Sequence, residues 1–233
     1  LKSFPQQRSR LIWEEINYFW KNNFSMRLII LGTGEHSKVV TQVASERCDT
    51  EIYGYIDDKA NWVNAGLWLG NDSILEAPTS LPSDCAYFVA VGNNKIRRRL
   101  TEKLKRSQHK IATLISLYSH VAPTAQIGSG CLVMPGSTIN AYAELGEGVI
   151  LNTNSSVDHD CKIDDFVHIA PGVSIAGGVK VGRETFIGVG SSVRDHIQIG
   201  EEVIVGMASA VTKNLESKNL YWGSPAKKVR KNE

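Results

Sequence analysis

The residues best suited to chemistry in this chain are His159 and Asp160, neighbours in the segment NTNSSVDHDC that spans residues 152–161. A carboxylate beside an imidazole fixes the tautomer of the ring and stabilises its protonated form, which is the pairing that general-base catalysis needs. Histidine has an ordinary pKa of about 6.5 and exchanges protons near neutral pH. The segment therefore indicates a general base, and a solvated histidine at a chain turn is the alternative.

Another histidine, His168, follows nine residues later. The sequence leaves two roles open for it: a hydrogen bond to a ligand, or polar cover for the next turn of the chain. His120 and His196 lie apart from this segment and are expected to be surface residues.

A group of residues that could bind phosphate follows the predicted strand RLIIL, residues 27–31. The turn GTGEHS, with Gly34, Glu35 and His36, leads into a predicted helix, KVVTQVASERC. Glycines let the backbone approach a ligand closely, and a helix N-terminus offers free N–H groups, so this unit is typical of nucleotide binding. Ser37 holds the place of the third glycine in the G-x-G-x-x-G pattern, so a tight turn without a ligand is the alternative.

Two further strands end in residues that could complete such a site. The strand EIYGYI ends in Asp57 and Asp58, about twenty residues past the glycines, where a carboxylate can bind a ribose hydroxyl or a base. An Asp pair that only forms a turn is the alternative. The strand CAYFVAV ends in Gly92, and a last strand is predicted over KIATLIS. Alternating strands and helices indicate a parallel sheet, whose ligand lies beyond the carboxyl ends of its strands.

A basic helix is predicted over KIRRRLTEKLKRS, residues 95–107. Its run of arginines and lysines is interpreted as a solvated face.

The element that must position His159 is a repeat with a period of six. It places a branched aliphatic residue at every sixth position and a small or apolar residue four places after each one. This pattern predicts a parallel β-helix, in which each short strand turns one aliphatic side chain inward and three hexapeptides complete a coil. Gly or Asn often follows the aliphatic residue and is expected at corners that need unusual dihedral angles. The aliphatic series is Val121, Ile127, Val133, Ile139, Leu145, Leu151, Val157, Ile163, Ile169, Ile175, Val181, Ile187, Val193, Ile199, Val205 and Val211.

The composition is that of a globular protein, with 233 residues, 42% hydrophobic and 21% charged. A net charge of +2 gives no electrostatic reason to expect a polyanion, so no nucleic-acid partner is predicted. The four cysteines show no C-x-x-C spacing and are interpreted as reduced thiols, which predicts a cytoplasmic protein. The sequence contains no run of about 18 apolar residues, so no membrane insertion is expected. Residues 1–25 carry a rough helical stripe and are interpreted as an extension: a linker, an added segment, or a partner-binding or membrane-surface helix.

Several of these segments together resemble the PglD/NeuD family of bacterial sugar acyltransferases, over about residues 27–230. They are LGTGEHSKVV, GYIDD, VAVGNN, NTNSSVDHDCKIDDFVHIAPG and GSPAKKVRK. The resemblance implies an α/β Rossmann-like nucleotide-sugar-binding domain over residues 26–118. An all-β left-handed parallel β-helix over residues 119–233 follows it, and residues 1–25 stand outside both.

The resemblance also implies an activity. Family members are homotrimers that transfer acetyl from acetyl-CoA to the amine of a nucleotide-linked sugar, here a UDP-4-amino-4,6-dideoxy sugar of the bacillosamine type, for surface glycans or glycoproteins. Neither a metal nor a covalent intermediate is implied. By position, His159 is the general base and Asp160 raises its basicity, while the acetyl-CoA contacts are His168 and Gly188. The nucleotide-sugar contacts are Gly34, Glu35, His36, Asp57, Asp58 and Gly92. Glu35 departs from the family, which often has Gly-Gly-His or Ser-Gly-His here, and a carboxylate at this place repels phosphate.

Other functions stay open at this point. The acceptor could be sialic acid, acetylated on oxygen, or a GDP-linked amino sugar. A zinc carbonic anhydrase of the γ type needs three converging imidazoles, and the central coils supply only His159 and His168. A β-helix that serves only as a scaffold has no use for an Asp-His-Asp corner.

Overall fold

The computed structural model describes residues 26–46, 49–63, 65–76 and 81–232. The predicted extension, residues 1–25, and one of the four cysteines, Cys48, lie outside these ranges. Cys85, Cys131 and Cys161 are buried free thiols, as expected from their spacing. No helix within the described ranges is long and apolar enough to cross a membrane.

The first domain is a five-stranded parallel sheet in the order β3-β2-β1-β4-β5. The chain reverses direction of winding at β1, because β2 lies on one side of it and β4 on the other. The crevice at such a reversal, beyond the carboxyl ends of the strands, is where ligands bind in sheets of this type. The strands are β1 Met26–Leu31, β2 Thr50–Ile56, β3 Trp68–Gly70, β4 Cys85–Val89 and β5 Lys110–Ile111.

Two helices cover this sheet: α1 Glu35–Ser45 and α2 Asn94–Arg106. The central strand β1 is buried on both faces, which explains why its sequence is a continuous apolar run. Its even-numbered residues pack with α1, and its odd-numbered residues pack with Leu104 of α2. Short 3-10 turns at Ala65–Leu67 and Asp72–Glu76 flank β3, and neither they nor β3 were predicted from the sequence.

The second domain is the predicted parallel β-helix. Each of the sixteen aliphatic residues of the repeat is the second residue of a two-residue strand, β7 to β22, and each strand pairs in parallel with the third strand along the chain. The strands are β6 Leu114–Ile115, β7 His120–Val121, β8 Gln126–Ile127, β9 Leu132–Val133, β10 Thr138–Ile139, β11 Glu144–Leu145, β12 Ile150–Leu151, β13 Ser156–Val157, β14 Lys162–Ile163, β15 His168–Ile169, β16 Ser174–Ile175, β17 Lys180–Val181, β18 Phe186–Ile187, β19 Ser192–Val193, β20 Gln198–Ile199, β21 Ile204–Val205 and β22 Ala210–Val211.

These strands form three sheets, which we call face 1 (β6, β9, β12, β15, β18, β21), face 2 (β7, β10, β13, β16, β19, β22) and face 3 (β8, β11, β14, β17, β20). Face 1 is extended by β23 Asn219–Trp222 and by the antiparallel β24 Lys227–Lys231. The chain visits face 1, then face 2, then face 3 in each coil. The predicted fold class is therefore confirmed.

The corners of the coils differ from the prediction. The residue with positive φ is the third after the aliphatic residue, not the first, as at Asn154, Asp160 and Phe166, whose φ values are 54°, 57° and 56°. The glycine directly after the aliphatic residue is needed for close packing instead. A Cβ at Gly128 would lie 2.6 Å from the carbonyl carbon of Gly146, one coil above. Expecting unusual dihedral angles at these glycines was wrong, because coil stacking rather than φ excludes a side chain there.

The two domains share a hydrophobic core. Outward residues of face 1, including Leu132 and Ile150, join Leu28, Ile30 and Val40 of the first domain in one buried cluster. The last predicted strand of the sheet, over residues 110–116, is divided by this junction. Its first part is β5 of the sheet, and its second part, β6, pairs with β9, so the β-helix begins at Leu114.

The basic helix α2 also belongs to this junction. It lies along the corner between face 3 and face 1, where Arg98 pairs with Glu184 and Lys105 with Glu147. Arg97 is buried, with 1% of its surface exposed. The interpretation of this basic run as a solvated face holds for its exposed cations and is wrong for Arg97, which is buried against carbonyl groups of the β-helix corner.

Candidate active site

His159 lies at the corner between face 2 and face 3, between β13 and β14. Its Nδ1 is 2.8 Å from Oδ2 of Asp160, and both side chains are open to solvent, 59% and 65% exposed. A carboxylate can only accept, so Nδ1 carries the proton and the lone pair is on Nε2. Nε2 has no hydrogen-bond partner among the described residues. The ring therefore presents a basic nitrogen outward, as the sequence predicted.

The electrostatics of this corner favour a more basic imidazole. The pKa of His159 is raised above its ordinary value, first by the hydrogen bond to Asp160 and then by the charge of Asp158. Since the ring is solvated, burial opposes this only weakly. The arrangement suits a group that must take up a proton and then hold it.

Asp158 and Asn140 hold the backbone of the corner in place. Oδ1 of Asp158 accepts the N–H of His159 at 2.7 Å and Nδ2 of Asn140 at 2.9 Å, and these bonds lower the pKa of Asp158. Sequence reasoning missed the role of Asn140. The available signal was its position one full coil before Asp158, at the same place in the repeat.

Gly177 lies under the imidazole, one coil after His159. A Cβ on Gly177 would be 2.6 Å from both Cε1 and Nε2 of His159. The N–H of Gly177 has no acceptor among the described residues, whereas the next N–H, of Gly178, donates to the carbonyl of His159 at 2.9 Å. A bare glycine with a free N–H therefore adjoins the basic nitrogen, and this residue too was missed from the sequence.

Asp57 organises the glycine-rich turn at the end of β1. Its Oδ2 accepts the N–H of Thr33 at 2.6 Å and the hydroxyl of Thr33 at 2.9 Å, and its Oδ1 accepts the N–H of Asp58 at 2.7 Å. Both oxygens are thus engaged within the chain. The direct ligand contact predicted for Asp57 stays a prediction, and its observed work is to shape the turn.

A cavity of about 170 Å³ opens beyond the carboxyl ends of β1 and β2. Gly32, Asp57 and Asp58 line one side of it, and Arg99 of α2 contributes a positive charge. Gly34 caps α1 at the same edge of the sheet, while Glu35 is exposed on the first turn of that helix. Gly92 lies outside this cavity and borders a second one, between the domains.

His168 lies on face 1 against the first domain, with 9% of its surface exposed. Its Nδ1 is 3.2 Å from the carbonyl oxygen of Gly92, and its Nε2 is 3.3 Å from Nδ2 of Asn152. Because a carbonyl only accepts, we assign the proton to Nδ1, and Nε2 then accepts from the amide. Both ring nitrogens are engaged within the chain.

His36 of α1 lies near His168, with ring centroids 6.2 Å apart, and its buried Nε2 has no partner among the described residues. Burial lowers the pKa of His36 to about 4 and that of His168 to about 3, and the positive charge of Arg97 adds to the effect. Both imidazoles are therefore neutral at physiological pH.

The structure does not bring the predicted site residues together at one place, and besides the cavity edge with Gly34, Asp57 and Asp58 it forms two further groups. His36, Gly92 and His168 meet at face 1, whereas His159 and Asp160 lie at the corner between faces 2 and 3. In a triangular coil that corner is opposite face 1. Gly188 lies apart from all of these, at the corner after β18, where a Cβ would come within 2.7 Å of the backbone N of Met207. Coil packing alone requires a glycine there, and a contact with acetyl-CoA stays a prediction.

Comparison with known proteins identifies the family. The sequence profile of the PglD N-terminal domain matches residues 27–104. The acetyltransferase domain of PglB from Neisseria gonorrhoeae FA1090 is 35% identical in sequence and superposes with a TM-score of 0.83. The superposition covers 88% of this chain and 100% of the Neisseria domain. The chain belongs to the PglD/NeuD family of sugar acyltransferases.

Two further relatives of this PglD/NeuD member are amino-sugar N-acetyltransferases. UDP-N-acetylbacillosamine N-acetyltransferase of Bacillus subtilis (strain 168) is 34% identical to this chain over 107 residues. The match covers 45% of this chain and 50% of that enzyme, so it spans about half of its length. Perosamine N-acetyltransferase of Caulobacter crescentus, solved with CoA and GDP-perosamine, is 31% identical with a TM-score of 0.82, over 88% of this chain and 97% of that one. The Neisseria domain has also been solved with acetyl coenzyme A.

Within the described ranges, no three His, Cys, Asp or Glu side chains come together as a set that could hold a metal ion.

Proposed function

We propose that this chain is an acetyl-CoA-dependent N-acetyltransferase that acts on the amine of a nucleotide-linked amino sugar, with His159 as general base. The observation that carries the proposal is the free Nε2 of His159, made basic by the 2.8 Å bond from Nδ1 to Asp160. Family membership supports acetyl-CoA as the donor, since the Neisseria relative has been solved with it.

The reaction follows from these groups. The neutral sugar amine attacks the carbonyl carbon of the thioester, and Nε2 of His159 takes the proton that the amine loses as the C–N bond forms. The tetrahedral intermediate places negative charge on the carbonyl oxygen, and we assign its stabilisation to the N–H of Gly177, which adjoins the imidazole and has no acceptor among the described residues. The C–S bond then breaks, the amide forms, and the imidazolium returns its proton to the leaving thiolate of CoA.

The acceptor proposed first is a UDP-linked 4-amino-4,6-dideoxy sugar, which agrees with the name of the Bacillus relative. A GDP-linked amino sugar is the second candidate, because the Caulobacter relative was solved with GDP-perosamine. In either case the nucleotide occupies the carboxyl edge of the sheet, near Gly34, Asp57, Asp58 and Arg99. Glu35 is exposed beside that edge, so its carboxylate can remain in solvent when a phosphate binds there.

The position of the two groups supports a homotrimer. Within one chain His36, Gly92 and His168 lie at face 1 and His159 lies opposite, so a sugar held by this group, which we take as the acceptor side, reaches His159 of another copy. Face 2 offers a surface for that contact, because from β10 to β22 its outward side chains are small and uncharged and allow close approach. They are Thr138, Ser156, Ser174, Ser192 and Ala210. Three copies with cyclic symmetry close such a contact into three equal sites.

Turnover of acetyl-CoA against a panel of UDP-, GDP- and CMP-linked amino sugars tests the proposal. Release of the CoA thiol and the mass of the product report the reaction, and we expect an amide product with one UDP-linked acceptor. Acetylation of a sugar hydroxyl, or no turnover with any amine, would contradict it. Sedimentation of the active enzyme tests the assembly, and a fully active monomer would contradict the shared site.

A further inference from the structure

Arg97 joins the two domains through five hydrogen bonds of its guanidinium. Its side chain is buried, and its Nε and Nη2 donate to the carbonyl oxygens of Gly148 and Phe166, both at 2.8 Å. Gly148 and Phe166 occupy equivalent places on successive coils, at the corner between faces 3 and 1. One edge of the guanidinium is therefore fixed to two coils of the β-helix.

The remaining N–H groups of Arg97 bind the first domain. Nη1 donates to the carbonyl oxygens of Val91 and Gly92, both at 3.1 Å, and Nη2 donates to Oδ1 of Asn94 at 2.9 Å. All five donors of the planar fork are thus used. Because the fork is rigid, it fixes the loop after β4 relative to the β-helix.

No carboxylate oxygen bonds to Arg97 within the described residues, since Glu184 pairs with Arg98. Burial lowers the pKa of Arg97 to about 9, which leaves it charged at neutral pH. A buried charge does not by itself stabilise a fold, because the free-energy cost of removing the guanidinium from water offsets the contribution of its hydrogen bonds. Five bonds of fixed direction do, however, define a single geometry.

The groups that Arg97 holds border the acceptor side of the site. The carbonyl oxygen of Gly92 is shared, accepting from Nη1 of Arg97 at 3.1 Å and facing Nδ1 of His168 at 3.2 Å. A cavity of about 420 Å³ has one wall from the first domain and one from the β-helix, and its shape depends on how the domains are joined. Its walls are Gly92, Asn93, Asn94 and Lys95 on one side and Glu184, Phe186, Ile204 and Asn232 on the other.

We propose that Arg97 is a positioning residue for the acceptor: its five hydrogen bonds hold the Gly92 loop and the first turn of α2 against face 1 and so set the geometry in which the nucleotide sugar binds. The inference rests on the proposed function for the identity of the acceptor. The predicted effect of Arg97 on nucleotide binding is independent of the proposed function, because nucleotide binding is measured without acetyl transfer.

The test compares Arg97→Lys with Arg97→Met. Lysine keeps the charge but has three donors and no planar fork, whereas methionine keeps only the bulk. We expect both variants to raise KM for the nucleotide sugar about tenfold or more and to leave KM for acetyl-CoA unchanged. Lysine restoring wild-type KM would show that charge alone matters and would overturn the proposal. Equal losses in both KM values, or a fall in kcat alone, would also overturn it.

The control is Arg106→Met, an exposed arginine in the last turn of the same helix, which should keep wild-type kinetics. If the Arg97 variants fail to fold, Asn94→Ala gives a milder test. It removes one acceptor of Arg97 and the bonds from Nδ2 to the carbonyl oxygens of Glu184 and Thr185. We expect a smaller rise in the same KM, and wild-type kinetics for a folded Asn94→Ala would count against the proposal.

Calorimetric titration with UDP and with GDP separates this inference from the proposed function. If the wild type binds one nucleotide and Arg97→Lys binds it about tenfold more weakly, positioning by Arg97 holds even when no sugar is acetylated. If acetyl transfer occurs and both variants bind the nucleotide as the wild type does, Arg97 is only structural.

Discussion

Nδ1 of His159 lies 2.8 Å from Oδ2 of Asp160, and Nε2 on the other side of the ring is free among the described residues. Replacing His159 by Asn should lower kcat at least about 100-fold, because asparagine cannot take up the proton that the amine loses. Thermal stability should barely change, since the side chain is exposed. Steady-state kinetics and thermal unfolding of the same preparation measure both quantities.

His196→Asn is the matched control for this substitution. His196 is an exposed histidine of the same corner, two coils further on, with its ring against Gly178. It should keep wild-type turnover. A loss in His196→Asn equal to that in His159→Asn would remove His159 from its proposed role.

Asp160 determines the pH above which His159 is unprotonated and able to accept a proton. The pKa of His159 is raised, mainly by the bond to Asp160, so wild-type activity should rise with pH through a value above about 6.5. In Asp160→Asn the stabilisation of the imidazolium is lost, the pKa falls, and the acid limb of kcat should move to lower pH. Maximal kcat should fall as well, because the tautomer is no longer fixed. An unchanged acid limb in the pH–rate profile would show that another group titrates there.

Gly177 leaves room for the imidazole. In Gly177→Ala the new Cβ would meet the His159 ring at 2.6 Å, so the ring must move away from its position beside the free N–H. We expect kcat to fall about tenfold or more with only a small change in Tm. Gly66→Ala is the control, because a Cβ there meets nothing within 4 Å. Wild-type kcat for Gly177→Ala would argue against the proposed place of the thioester.

Asp57 shapes the turn that precedes α1. In Asp57→Ala the bonds at 2.6 and 2.9 Å to Thr33 are lost, and the turn loses its fixed form. KM for the nucleotide sugar should rise about ten- to a hundredfold, since the hydrogen bonds to a charged acceptor that hold the turn are worth roughly 1–3 kcal/mol and the turn borders the proposed nucleotide site. KM for acetyl-CoA should stay unchanged, as it should in the control Asp164→Ala at an exposed corner of the β-helix. A rise confined to KM for acetyl-CoA would show that the first domain binds the coenzyme.

His36 and His168 make the domain junction sensitive to acid. Their pKa values in the folded chain are about 4 and about 3, mainly because of burial, against about 6.5 in the unfolded chain. Between about pH 6.5 and 4 the unfolded chain binds more protons, so the free energy of unfolding falls as pH falls, by up to about 1.4 kcal/mol per pH unit for each histidine. Above about pH 7 this contribution is constant.

Urea unfolding between pH 4.5 and 7.5 measures this dependence. His36→Asn should reduce the slope by up to one proton, and His168→Asn, which keeps a donor for the carbonyl of Gly92, should reduce it likewise. The exposed His120 provides the control, and His120→Asn should leave the slope unchanged. Parallel curves for the wild type and both buried variants would contradict the assignment of neutral, buried imidazoles.

The sequence by itself determined the β-helix and the pairing of His159 with Asp160. A hexapeptide repeat is a local signal, because each aliphatic residue turns inward within its own short strand whatever lies far away, and all sixteen positions were found there. The His159–Asp160 pair is equally local, since the two residues adjoin in the chain. The strands β1, β2 and β4 could be predicted for the same reason.

Only the tertiary structure decided which residues meet across coils and across domains. Gly177 and Asn140 reach the His159 corner because the chain returns to the same place after every three hexapeptides, a relation that no neighbouring residue reveals. The burial of Arg97 depends on the docking of α2 against Gly148 and Phe166, 51 and 69 residues away. Charge patterning predicts a solvated face for such a helix, and Arg97 departs from it because carbonyl groups at the β-helix corner accept its hydrogen bonds.

The separation of the two site groups was likewise invisible in the sequence. His159 and His168 are nine residues apart, half a coil, so closing the triangular coil sends them to different sides of the prism. Closure of the coil is a long-range property of the stacked strands, and it places His159 on the side of the prism away from His168.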